Sequence, residues 1–369
     1  QEGLRDLVEQ NSRRVHAGAH RLDARYLLDG GEALEALKAY GRVFGQRPTL
    51  IFKHWHRIIF ALLSLLGLSW LRPLLLYRKL YNHRPILVTG PHRSGTTWVG
   101  RMLALNSGTA YVSEPLNVLH RTGVFEAKVD HWYTYVSYEN ERRYLEAFKD
   151  TLKLRYKGLK EIASRRSLRD LGRMIRDVYI FWMGRIGRRR VLLKDPFAVF
   201  SLAWFAERLN CEVVVVIRHP AAFVSSLKCL EWPFDFRDLL AQPLLMRDWL
   251  KPFRAEMEAA AENPDDLIGQ GSLLWRVICH VVRKLDEQYP EVRVVLHEEL
   301  SRAPIEHFEQ LYAEMELPFT TRVARGIRQS TSADNPQEVS LESIYATNLD
   351  SAANLENWKQ RLSADEISR

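Results

Sequence analysis

The chain predicts a three-layer α/β domain with a central, mainly parallel sheet of about five strands, preceded by a helical segment. Two observations carry this. Apolar, β-rich runs of strand length occur at 86–90, 191–194, 212–218 and 292–296, the pattern of strands buried on both faces. A helical pattern follows each run, and the first three reach it through a turn holding Gly or Pro. Hydrophobic residues make up 46% and aromatics 11% of the 369 residues, enough for a large core, so wholesale disorder is excluded. Length allows one large domain or two modest ones.

Residues 1–84 read as helices. RDLVEQNSRRV and DARYLLDGGEALEALKAYGRVF place apolar residues three and four apart, and Pro48 closes that region. The most apolar stretch, 58–71, is 14 residues long and stops at Arg72 and Pro73. A spanning helix needs roughly 20 residues, so a short buried or interfacial helix is expected. Its leucines, continuing to Leu74, Leu75 and Leu76, are flanked by Arg57, Arg72, Arg78 and Lys79. Peripheral membrane contact is therefore expected, with burial as the alternative. The chain starts at Gln1 rather than Met, which leaves room for an upstream anchor; the expected location is cytoplasmic or peripheral membrane.

Residues 85–369 form the second unit. Its first strand, Ile86-Leu87-Val88-Thr89, runs into Gly90-Pro91-His92-Arg93-Ser94-Gly95-Thr96-Thr97 and then a helix. Gly-x4-Gly on a strand-to-helix turn is P-loop spacing. The glycines let backbone N–H groups close on a phosphate while the helix N-terminus adds positive potential. A triphosphate-binding loop places Lys after the second Gly; here Thr96 stands there, and the cation is Arg93. Nucleoside triphosphate chemistry is disfavoured on that ground, and a single phosphate group beside one cation is favoured. The strand 212–218 ends in a second such turn, Arg218-His219-Pro220, with Ser226 eight residues past Arg218 on the next helix. An Arg at a strand end makes charge-assisted bonds to phosphate oxygens.

Net charge is +8, and the excess is concentrated: 165–190 holds nine Arg against two Asp. Such a run is either a solvated helix face or an attractor of anionic ligands or membranes. The three cysteines, Cys211, Cys229 and Cys279, contain no CxxC pair, which excludes a zinc ribbon and a disulfide framework and fits ordinary thiols in a reducing compartment.

PHRSGTTW resembles the 5′-phosphosulfate loop of the sulfotransferase family, and Arg218…Ser226 resembles that family's 3′-phosphate motif. The two motifs, about 125 residues apart in the expected order, make the resemblance specific; it covers 85–369. It implies 3′-phosphoadenosine 5′-phosphosulfate (PAPS) as cosubstrate. Arg93, Ser94, Gly95, Thr96 and Thr97 would hold the 5′-phosphosulfate, Trp98 would take the aromatic position that follows, and Arg218 and Ser226 would hold the 3′-phosphate. Tyr111-Val112-Ser113-Glu114-Pro115 resembles the segment where carbohydrate and tyrosylprotein sulfotransferases carry a Glu base, which suits the carboxylate that general-base work requires. Leu193-Lys194-Asp195-Pro196-Phe197 resembles a tyrosylprotein-branch motif whose Lys steadies the sulfuryl charge. Lys194 lies at a strand's carboxyl end, where open parallel sheets bind ligands; an ion pair with a nearby acid is its alternative. Arg328-Gln329-Ser330-Thr331 and Asn357-Trp358-Lys359 resemble segments that close over the cofactor, with Ser330 as the contact.

The expected function is transfer of a sulfuryl group from PAPS to an acceptor hydroxyl, with a glycan favoured over protein tyrosine and lipid alcohols. Glu114, Lys194 and Arg93 form the catalytic set. Metal is not needed, since the cations are side chains, and nucleic acid is not an expected partner. Two other classes stay open: a P-loop phosphotransferase or NTPase, and a non-catalytic nucleotide-binding, membrane-associated protein.

Overall fold

The computed structural model describes residues 2–69, 84–164, 168–338 and 347–369. Five strands form one sheet: β1 (Ile86–Thr89), β2 (Thr109–Ser113), β3 (Arg190–Lys194), β4 (Glu212–Ile217) and β5 (Val292–Leu296). Their order is β2-β3-β1-β4-β5, and every pairing is parallel. Alternate side chains leave opposite faces of a strand, and β1 shows the result. Leu87 stands in register with Leu193 on one side and Val213 on the other, in a core shared with Phe200, Phe205, Phe223 and Ile278. Ile86 and Val88 enter a second core with Val99, Leu103, Phe308 and Tyr312. Helices Leu202–Arg208, Pro220–Cys229 and Leu267–Gln288 cover the first face. Helices Thr96–Leu103, Pro304–Glu314 and Thr321–Thr331 cover the second. The three layers are those expected.

Strand β2 is not among the strands expected from the sequence. TAYVS is short, lies at the sheet's edge and pairs only with β3, so it lacks the uniformly apolar run of an inner strand. The polar, irregular sequence of 318–369, with its Ser, Thr and Asn clusters, suggests loops and one final helix; the structure also holds the helix Thr321–Thr331 there. Only Val323, Ala324, Ile327 and Ser330 of that helix are buried, too few apolar residues to stand out against TRVARGIRQST. Thr320 caps it, its hydroxyl accepting from the Val323 N–H at 3.3 Å.

The N-terminal segment is three helices, Glu2–Asp29, Ala33–Gln46 and Pro48–Leu65. Ala24, Ala36, Ala39 and Ala61 are buried with Leu28, Tyr40 and Phe60, small residues that let the helices approach closely. Glu32 reaches Arg325 at 3.4 Å. Among the described residues no helix is long and apolar enough to cross a membrane; 70–83, which include Leu74, Leu75, Leu76, Arg78 and Lys79, lie outside them.

Among the described residues, no arginine of 168–190 lines the cavity described below. Arg165 and Arg166 lie outside the described residues. Arg190 is buried at the amino end of β3, donating to Glu212 at 2.6 Å and to the Arg84 carbonyl at 2.5 Å. It ties strand starts together at the end of the sheet opposite the phosphate loop.

Candidate active site

The chain crosses the sheet between β3 and β4, passing over β1. Where strand order reverses in this way, helices leave in opposite directions and a crevice opens at the carboxyl ends. A cavity of about 680 Å³ lies there. It is lined from beyond the carboxyl end of every strand: Glu114, Arg218 and His297 directly follow β2, β4 and β5, and Gly95 and Pro196 lie in the segments after β1 and β3.

The loop after β1 is built on strained backbone. Gly90 has φ +139°, and a Cβ there would lie 2.2 Å from the Val216 carbonyl oxygen. Gly95 has φ +90°, and a Cβ would stand 2.5 Å from His297 Cδ2. Arg93, between them, is held at φ +66°, a cost of order 1–3 kcal/mol that surrounding contacts must offset. One contact is its Nε donating to Ser226 Oγ at 3.2 Å; another is Arg218 Nη1 donating to its carbonyl at 3.3 Å. The two sequence motifs are thus joined directly. Ser94 Oγ is buried with no hydrogen-bond partner, and Thr96 and Thr97 open the following helix beside it.

Arg218 sits half-buried, with Nη2 donating to Asn354 Oδ1 at 3.5 Å and Nε buried without a partner. Burial, reinforced by the Arg93 charge and opposed by Glu298, pushes its pKa down to about 10. Burial, with Arg218 adding to it, holds His297 well below its ordinary value. Two neighbouring cations and an orphaned donor in one crevice form an anion site. Trp98 and Ser330 stand on the same wall: Trp98 Nε1 donates to Ser330 Oγ at 2.9 Å, and that hydroxyl donates to the Thr347 carbonyl at 2.9 Å. Trp358 stacks on His219 at 5.2 Å and does not line the cavity.

Glu114 lines the cavity at φ +52°. Its N–H donates to the Lys194 carbonyl at 2.7 Å, and Asn117 Nδ2 donates to its Oε2 at 2.7 Å. Its Oε1 takes the Lys194 ammonium. Lys194 is 2% exposed and does not itself line the cavity; nor do Ser94 and Ser226, both buried behind the loop. Next to this pair Asp195 is buried, accepting from the N–H groups of Leu116 at 2.6 Å and Phe197 at 3.1 Å. Burial raises its pKa to about 7, with Glu114 adding to the rise and the Leu116 N–H opposing it.

Several lining residues do not stand out in the sequence. His92 is not among the expected site residues; its backbone N–H donates to Tyr133 Oη at 3.1 Å, and its Nδ1 is hydrogen-bonded to the same hydroxyl at 2.5 Å. Burial, with Arg93 adding to it, lowers the ring pKa to about 4, which keeps the imidazole neutral. His297 escapes the sequence reading although it directly follows a strand end, the signal that marks Arg218. Trp132, Tyr133, Phe197, Trp232 and Phe234 supply aromatic walls; Trp232 and Phe234 carry no signal in the sequence, whereas Phe197 closes the LKDPF segment and Trp132 and Tyr133 belong to the aromatic run after Glu114. No cluster of His, Cys, Asp or Glu suited to a metal occurs among the described residues.

A sequence profile of the Sulfotransferase family matches residues 85–321, more than half of the chain. Carbohydrate sulfotransferase 1 of Danio rerio is 29% identical over 187 residues, covering 48% of this chain and 37% of the relative. Its counterpart of Homo sapiens is 27% identical over 188 residues, covering 48% and 38%. The match thus spans less than two-fifths of those relatives' length. Among solved structures, the sulfotransferase domain from the curacin biosynthetic pathway shares 14% identity at TM-score 0.40, over 77% of this chain and 93% of that one. The sulfotransferase domain of the Synechococcus PCC 7002 olefin synthase shares 13% at TM-score 0.36, over 79% and 94%.

Proposed function

Because the chain belongs to the sulfotransferase family, we propose that it moves a sulfuryl group from PAPS to a hydroxyl on a carbohydrate. One observation carries the reading. Arg93 and Arg218, 125 residues apart in sequence, meet in one cavity with Glu114. The unpartnered Ser94 Oγ and Arg218 Nε beside them fit a polyanionic nucleotide.

In this reading Arg93, Ser94, Gly95, Thr96 and Thr97 hold the 5′-phosphosulfate, Trp98 and Ser330 flank it, and Arg218 with Ser226 holds the 3′-phosphate. Glu114 accepts the proton of the acceptor hydroxyl as its oxygen bonds to sulfur. The bond from sulfur to the bridging oxygen breaks, and the electron pair leaves on the 5′-phosphate. Arg93 stabilises the charge that develops. Lys194, ion-paired with Glu114 and buried behind it, holds that carboxylate in place and supplies positive charge next to the reacting groups. A carbohydrate acceptor is supported by the curated relatives, each called a carbohydrate sulfotransferase, and by the aromatic walls, whose faces suit sugar rings.

Incubation with radiolabelled PAPS and a panel of saccharides, a tyrosine peptide and lipid alcohols tests this. Label should pass to saccharides. Glu114→Gln should lower kcat by roughly 100-fold or more, the ordinary contribution of a general base, with binding of 3′-phosphoadenosine 5′-phosphate (PAP) retained. Turnover like the parent's in that variant removes Glu114 from the mechanism; label on the peptide alone replaces the acceptor.

A further inference from the structure

The cavity wall divides into two connected sets of side chains on either side of the phosphate loop. One set is polar and cationic: Trp98 joins Ser330 and His297, and Arg218 joins Asn354. The other is aromatic and acidic. Trp132 packs on Phe197 with centroids 4.8 Å apart, and Tyr133 packs on Phe197 at 5.4 Å and on Phe234 at 5.8 Å. Trp232, 39% exposed, offers a ring whose other neighbour is the Arg93 guanidinium at 5.9 Å.

The carboxylates of the cavity are Glu114, Asp235 and Asp238; among the described residues its Lys and Arg lining is Arg218 and Arg93, the latter lying over Trp232. Glu114 is matched by Lys194. Asp238 accepts from His131 Nδ1 at 2.9 Å, and Asp235 meets the exposed Arg237 at 3.7 Å. Burial raises the Asp238 pKa, against His131 and the Trp132 N–H, which lower it.

We infer that the lobe of Trp132, Phe197, Trp232 and Phe234, with Asp235 and Asp238 in its wall, is the acceptor subsite, and that it selects an uncharged sugar ring over one already bearing sulfate or carboxylate. The inference rests on the carbohydrate reading above. The physical grounds are direct. Aromatic faces pack against the C–H face of a sugar, carboxylates accept hydrogen bonds from its hydroxyls, and the same carboxylates repel a second anion. Like charges several ångströms apart near a protein surface change affinity by about tenfold or more. The arginines of 165–190, which would have suited an anionic acceptor, contribute no lining residue among those described.

The test uses the full chain, radiolabelled PAPS, and two acceptors: a neutral β-galactosyl disaccharide and the same disaccharide carrying one sulfate. Acceptor binding is read separately by quenching of tryptophan fluorescence in the presence of PAP. The neutral sugar should be preferred by about tenfold or more in both kcat/KM and binding. Asp235→Asn, and Asp235→Asn with Asp238→Asn, should narrow that preference stepwise while leaving PAP affinity unchanged. Trp232→Ala should weaken quenching and binding of both sugars alike. Equal or better use of the sulfated sugar, or a preference that both Asn variants leave intact, overturns the inference while the proposed function stands. Transfer to a non-carbohydrate alcohol alone overturns the carbohydrate reading and this inference with it.

Discussion

Arg218 keeps its charge where burial and a second guanidinium both oppose it, so its gain from an anion should be large and local. On the proposed reading that anion is the 3′-phosphate. A hydrogen bond to a charged group contributes about 1.5–3 kcal/mol. Arg218→Ala should therefore weaken PAP roughly tenfold to a hundredfold in calorimetry, with a much smaller loss for adenosine 5′-phosphate. Equal losses would place Arg218 away from the 3′-phosphate. Asp195 offers a pH signature. Its folded pKa, about 7, lies above the carboxylate's ordinary value, so the native state keeps a proton that the unfolded chain has released. That stabilisation is present at the acid end of the window and is lost as pH rises through about 7. Asp195→Asn should have a melting temperature that gains on the parent's between about pH 4 and about pH 8; parallel curves would refute the buried protonated carboxyl. Arg93, Gly95 and Arg218 were legible because a phosphate site needs those residue types at that spacing. His92 was not, since its neutrality comes from burial in the folded crevice beside Arg93, and its hydrogen-bond partner Tyr133 stands 41 residues away.

At the scale of elements, legibility followed the apolar run. Strands β1, β3 and β4, buried along their whole length, read directly from their sequences, and β5, an edge strand buried only at Val292, read from the valines and leucine of VRVVL. Strand β2, on an edge, did not, although Glu114 owes its position to it. The helix Pro48–Leu65 presents a different case. Trp55, Ile59, Leu62 and Leu66 follow one another at intervals of four, three and four along it and its C-cap, and are 56%, 39%, 50% and 74% exposed. Such spacing lines one face of a helix. With Lys53 and Arg57 nearby, the stripe supports the proposal of peripheral contact with an anionic bilayer. The protein should float with phosphatidylserine vesicles at low salt, and Leu62→Asp with Leu66→Asp should leave it at the bottom of the gradient. Flotation of the double variant equal to the parent's would discard the stripe as the contact.

Across the whole molecule, five parallel strands deliver the groups after their carboxyl ends to one crevice, while Arg190 fastens the amino ends opposite. The sequence told which residues end strands, but not that 132–133 and 232–238 would fold over them, because those segments are placed by tertiary packing rather than by a local pattern. The pairing of Arg93 with Arg218 also bears on the tempo of the reaction. On the proposed reading the sulfuryl group leaves with the acceptor, yet both phosphates that those cations grip stay behind. The spent nucleotide keeps nearly all the contacts of the fresh one, and its departure restores two facing positive charges. Release, rather than bond-making, is then expected to govern the steady state. Rapid mixing should show a burst of labelled product close to stoichiometric with enzyme, followed by a slower linear phase; strictly linear progress from the first turnover would show that chemistry is the slow step.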